Sequence, residues 1–208
     1  MTEHATAALA HGPHRDDVAS RMGMWIFLLT ELFLFGGIFI AYAAYRTVNR
    51  EAFHHAGAEL DAVLGVANTV VLLTSSLTAA LGVHAFREGR DREAPCWIGL
   101  TVLLAFAFLV IKGIEWSTKY QHGLFPGQPA LAALPPGERL FFGLYFAATG
   151  LHALHVIVGA ALLGVTCALV ARQRIRPDAP VILENAGIYW HLVDTVWIII
   201  LPLFYLAA

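Results

Sequence analysis

Apolar residues along this chain gather into five runs, parted by short stretches rich in charge, Gly or Pro. The runs are Met22 to Tyr45, Val63 to Phe86, Pro95 to Ile114, Leu140 to Ala171 and Ala186 to Leu206. Each reaches the roughly 20 mostly apolar residues that cross a bilayer as an α-helix. The fourth is long enough to tilt or to project beyond the hydrocarbon. Pro202 is tolerated near the end of the fifth, where few backbone bonds remain to be broken. The pattern predicts an all-α polytopic membrane protein, a five-transmembrane-helix bundle forming one domain over 21–208. A polar tail over 1–20 precedes it. That tail lacks the charged start and short apolar core of a signal peptide, so the first run is expected to stay in the protein. Its His4, His11 and His14 are irregularly spaced and read as solvated rather than metal-binding.

Composition sharpens this picture. Hydrophobic residues make up 58% of the 208, and charged residues 13%, about half the roughly 25% of a soluble domain. Mean hydropathy is +0.66. A water-soluble globule of this size cannot hide so much apolar surface. A formal net charge of −2 offers no basic field for nucleic acid. Cys96 and Cys167 lie inside apolar stretches and form no CxxC motif.

Basic residues set the expected orientation. Arg15, Arg21, Arg87, Arg90, Arg92, Arg172, Arg174 and Arg176 flank one side. Arg46, Arg50, Lys112, Lys119 and Arg139 flank the other. Eight against five places the N-terminus in the cytoplasm and the C-terminus outside. One long loop, Trp116 to Glu138, then lies outside, and its Gly and Pro residues suit a surface connection.

Polar groups at membrane depth are costly, so each invites a reason. Glu31 stands among Leu28, Leu29, Leu32, Phe33, Leu34 and Phe35, with no basic residue within two turns of its own helix. It is expected to stay protonated, either bonded to a neighbouring helix or serving as a proton-relay, lipid or partner contact. Asn68, Ser75, Thr78 and Gly82 share one face of the second run, beside small pairs such as Ser75 and Ala79 that favour close helix approach. His152 and His155 are three apart and share a face, so they cannot be the two axial ligands of one haem. His84, His191 and one of that pair would be the haem candidates, but no four-His pattern on two helices appears, which weakens a diheme cytochrome b reading. Glu184, His191 and Asp194 are separated by seven and three; His191 and Asp194 are placed to pair, as are Lys112 and Glu115. A self-neutralising polar network that holds the bundle is preferred to a proton path. No Walker motif, GxGxxG, HExxH or nucleophile elbow is present.

Two motifs carry a resemblance. Phe146-Ala-Ala-Thr-Gly-Leu-His152-Ala-Leu-His155-Val-Ile-Val-Gly159 and Tyr189-Trp190-His191-Leu-Val-Asp194-Thr-Val-Trp197 resemble subunit III of haem–copper terminal oxidases. Glu31, Asn68-Thr69 with Ser75-Ser76, Glu115 and Glu184 agree with that family, and the resemblance runs from Gly23 onward. It implies an accessory, non-catalytic subunit of a proton-pumping oxygen reductase, with no haem, copper or other cofactor of its own. It implies packing on subunit I, which holds haem and copper, within a complex that also has subunit II and in some forms a small subunit IV. Ordered phospholipids, support for proton uptake and sustained turnover, and a bacterial inner membrane are implied as well. Glu31, Glu115, His152, His155, Glu184, His191 and Asp194 become lipid-contacting or structural polar candidates, with no catalytic or metal-binding residue. The larger family form has seven helices, and five here resemble short bacterial forms, including those of quinol oxidases; another chain would then close the lipid cleft. The alternatives are an accessory subunit of a nitric oxide reductase system, a small stand-alone transporter, and a b-type cytochrome.

Overall fold

A computed structural model describes residues 17–175 and 180–206. Among these residues the chain is helical, with no strand. The helices are α1 (Asp17–Val48), α2 (Arg50–Ala58), α3 (Ala62–Arg87), α4 (Glu93–Gln121), α5 (Pro129–Ala133), α6 (Pro136–Ala171) and α7 (Val181–Leu201). A π-helical turn, Pro202–Leu206, continues α7. Five of these elements are long and apolar enough to cross a membrane: α1, α3, α4, α6, and α7 with its π-helical turn.

Local chemistry fixes several helix ends. Asp61 caps α3, its carboxylate accepting from the amides of Val63 and Leu64 at 2.9 and 3.1 Å. Pro136 opens α6 at a position where its missing N–H costs nothing. Gly123 follows α4 with φ +76, a left-handed conformation that lets the chain reverse toward α5.

α7 is the axis of the bundle. Half of its most apolar window is buried, against 33% for α3 and α6, 28% for α4 and 11% for α1. Trp190 and Trp197 of α7 are wholly buried. Close approach is provided by small residues, as the sequence pattern anticipates on α3 and as the structure also shows on α6. A Cβ on Gly82 would come within 2.8 Å of the Ile98 side chain, and one on Gly159 within 2.8 Å of the Trp190 ring. Thr78 and Thr101 bond across the α3–α4 seam at 2.8 Å.

Three boundaries differ from the sequence expectation. α4 runs seven residues past Ile114 and absorbs the start of the expected outer loop, because Lys112, Glu115 and Lys119 are buried rather than solvated. The rest of that loop contains α5, and α2 fills the first connection, with Phe53 packed edge-on against Phe141 at 5.4 Å. α1 begins at Asp17, inside the expected polar tail; the tail's histidines lie outside the described residues.

Candidate functional site

Polar side chains inside the bundle form three groups. The first joins α1 to α6. Glu31 Oε2 lies 2.7 Å from His155 Nε2, and His155 Nδ1 lies 2.7 Å from the Leu151 carbonyl. Phe35 meets the imidazole edge-on at 5.2 Å, and Tyr189 stacks near it. The sequence around Glu31 offers no basic neighbour, and its own helix indeed supplies none. α6 brings an imidazole into direct contact instead, which no local pattern around Glu31 could indicate.

The second group is wholly buried between α4, α6 and the π-helical turn. Lys112 Nζ donates to Glu115 Oε2 and to the Tyr145 hydroxyl, each at 3.0 Å, and to the Tyr205 hydroxyl at 2.5 Å. Both tyrosines donate in turn to Glu115 Oε1, at 2.5 and 2.7 Å. The ammonium also faces the Trp197 ring at 5.1 Å. A buried ion pair is tolerable when further hydrogen bonds complete both partners, and these tyrosines do so. The expected Lys112–Glu115 contact is present. Tyr145 and Tyr205 are ordinary aromatic positions by pattern, and nothing in the sequence singles them out.

The third group lies where α1, α3 and α7 meet near the start of α7. Glu184 is 7% exposed and clamped by two guanidiniums, Arg21 on one oxygen at 2.8 Å and Arg87 on the other at 2.6 Å. They line a cavity of about 310 Å³ together with His84, Gly187 and His191. His191 Nδ1 is 2.6 Å from the Ser76 hydroxyl of α3. The expected pairing of His191 with Asp194 is therefore corrected: the imidazole turns to α3 instead. Asp194 is buried, and neither of its oxygens completes a hydrogen bond among the described residues.

His152 is separated from His155 despite the shared spacing. It is fully buried, edge-on to Phe108 at 5.5 Å and beside Trp197 at 5.1 Å, while His155 faces α1. An offset of about 60° between residues three apart on a helix is enough to send the two rings to different neighbours. Among the described residues, no three His, Cys, Asp or Glu side chains gather where they could hold a metal ion. A larger cavity, about 590 Å³, lies between the end of α1 and the π-helical turn, lined by Phe39, Tyr42, Arg46, Arg50 and Leu203.

Sequence comparison connects this arrangement to known proteins. Residues 2–208 match the family model described as Cytochrome c oxidase subunit III. The chain is 30% identical over 85% of its length to Cytochrome c oxidase subunit 3 of Corynebacterium diphtheriae, covering 82% of that protein. It is 31% identical over 99% of its length to the Heme-copper oxidase subunit I+III of Aeropyrum pernix, of which it covers 25%. It is 27% identical over 88% of its length to Cytochrome bo(3) ubiquinol oxidase subunit 3 of Pseudomonas aeruginosa, covering 83% of that protein. A match over nearly the whole chain, on a bundle of five membrane-spanning helices, settles the assignment: the chain is a multi-pass membrane protein of the cytochrome c oxidase subunit III family, an oxidase subunit that works in a complex with other oxidase subunits.

Proposed function

We propose that this chain is the accessory subunit III of a proton-pumping oxygen reductase in a bacterial inner membrane. It packs directly on subunit I, holds phospholipids, and supports proton uptake and sustained turnover without a redox centre of its own. The observation that carries this reading is the Glu31–His155 pair, a carboxyl and an imidazole sharing a hydrogen bond at the seam between the least buried helix and the bundle. Such a pair stores and hands on a proton without touching a redox group. Two further histidines in the spans contact protein groups: His191 bonds Ser76, and His152 lies among aromatic rings with neither ring nitrogen hydrogen-bonded among the described residues.

Lipid binding is supported by the 590 Å³ cavity, whose aromatic and aliphatic lining and two arginines suit acyl chain and headgroup phosphate. Contact with subunit I is supported by the fusion of subunits I and III in the Aeropyrum pernix relative. The sparse burial of α1 leaves its apolar face for a partner chain or lipid. An N-terminus in the cytoplasm is supported by the basic-residue count, eight against five.

Purification in mild detergent tests the reading. The chain is expected to bring down a haem- and copper-containing subunit I, while the chain isolated on its own is colourless. A copper-binding subunit II in the same preparation marks cytochrome c as donor, and its copper-free counterpart marks a quinol. A Soret band in the isolated chain, lost on His152→Ala or His155→Ala, overturns the proposal.

A further inference from the structure

We propose that Asp194 is a proton-accepting site inside the bundle, charged from the cavity at the start of α7 through His191 and Ser76. The cavity is about 310 Å³ and is lined by both Glu184 and His191, seven residues apart on α7. His191 Nδ1 is 2.6 Å from the Ser76 hydroxyl. Asp194 lies three residues past His191 on α7, which meets α3 through His191–Ser76, Trp190–Ser75 and Trp197–Thr69; this places its carboxyl toward Ser76, whose bond is made to His191. Both Asp194 oxygens remain without a completed hydrogen bond among the described residues, and the residue is 3% exposed. A buried carboxyl left so is costly for a purely structural residue.

Ser76 connects the two. Its oxygen has one hydrogen to donate and lone pairs to accept with. When His191 carries a proton on both nitrogens, Nδ1–H donates to Ser76 Oγ, and the serine hydrogen is released to turn toward Asp194. As the Nδ1–H bond breaks, a new O–H bond forms on Ser76. The original Ser76 O–H breaks, and its proton joins a carboxylate oxygen of Asp194. Ser76 ends as a hydroxyl again, His191 as a neutral imidazole, and one proton has moved. The transfer leaves the remaining hydrogen on Nε2, so His191 is recharged when its bare Nδ1 turns to the cavity and takes a proton from water there.

The track has a definite depth. Ten residues separate Glu184 from Asp194, which at 1.5 Å per residue is about 15 Å, half of a hydrocarbon core of roughly 30 Å. Charged and titratable groups facing it are Arg21 from α1, His84 and Arg87 from α3, and Glu184 and His191 from α7. Glu31 and His155 engage each other at the α1–α6 seam. The two arginines are neutralised in part by Glu184, which keeps the mouth polar without barring a proton.

Time-resolved infrared spectroscopy after caged-proton release, on the purified complex in lipid, tests this independently of oxygen consumption and of the electron donor. A protonated-carboxyl band is expected to rise in the wild type and to vanish in Asp194→Asn. Should Asp194→Asn not assemble, Asp194→Glu keeps the carboxyl and moves the band, which assigns it equally well. Ser76→Ala is expected to slow the rise by about a hundredfold, the lower end of what a positioned proton-transfer group contributes. Ser76→Thr restores it, because the hydroxyl is retained. A band indifferent to Asp194 substitution, or a Ser76→Ala rate equal to wild type, overturns the proposal.

Discussion

Glu31 and His155 meet across 124 residues of sequence, Oε2 to Nε2 at 2.7 Å, with the far nitrogen of the imidazole held 2.7 Å from the Leu151 carbonyl. A carbonyl can only accept, so Nδ1 carries a hydrogen. Nε2 and the carboxyl then share the remaining proton, and their bond joins α1 to α6.

This pairing predicts an asymmetric response at position 31. Glu31→Gln keeps an amide hydrogen that can donate to Nε2, so assembly and most oxygen consumption are expected to survive. Glu31→Lys sets a long cation against an imidazole in hydrocarbon, at about 2.5–3.5 kcal/mol on insertion scales, and the yield of complex falls. Oxygen uptake and subunit recovery, measured side by side, check both. Complete loss of turnover in a fully assembled Glu31→Gln complex makes Glu31 an obligatory proton carrier and ends the accessory reading.

Legibility in the sequence followed distance along the chain. The five spans could be read because hydropathy is local, and Lys112 with Glu115 because i, i+3 neighbours meet on any helix. The length of α4 could not. Lys112, Glu115 and Lys119 look like a helix leaving the membrane, and only partners on other segments reveal them as buried: Tyr145, Tyr205 and the Glu59 carbonyl. The partners of Glu31, Glu184 and His191 were hidden for the same reason. Each lies on a separate helix, and single-chain spacing favoured the nearer but wrong pairing of His191 with Asp194.

Gly159 offers a direct test of the α6–α7 seam. A Cβ there would stand 2.8 Å from Trp190 Cε3 and 3.1 Å from Tyr189 Cε1, both on large, buried rings. Gly159→Ala is expected to cost about 1–3 kcal/mol, read as a lower melting temperature in detergent. Gly164→Ala is the control, since a Cβ there meets nothing within 4 Å. Equal melting of the two variants counts against the packing described.

Orientation makes a second, independent test. Eight basic residues against five predict the Arg87 to Arg92 turn in the cytoplasm and the C-terminus outside. A reporter that works only outside the cytoplasm is expected to be active when fused at Ala208 and silent in the turn. The reverse pattern inverts the topology, and with it the side from which the Glu184 cavity opens.

The Lys112–Glu115 group gives the sharpest energetic prediction. Each charge is buried, and each is completed by the same two tyrosine hydroxyls. Lys112→Met strands a carboxylate in the core, and Glu115→Gln strands an ammonium among aromatic rings. Removing one partner of a buried pair typically costs about 3–5 kcal/mol. Removing both leaves no uncompensated charge, and the tyrosines can still donate to the amide oxygen that Glu115→Gln retains. The double variant is therefore expected to be more stable than either single one, a coupling far outside the few tenths of a kcal/mol of independent sites. Melting curves of the four proteins, wild type, two singles and the double, close the cycle. Simple additivity of the two losses means that the pair does not act as a unit. In that case the contacts holding Tyr205, and with it the π-helical end of the chain, against α4 derive from the aromatic packing around Trp197 and Phe204.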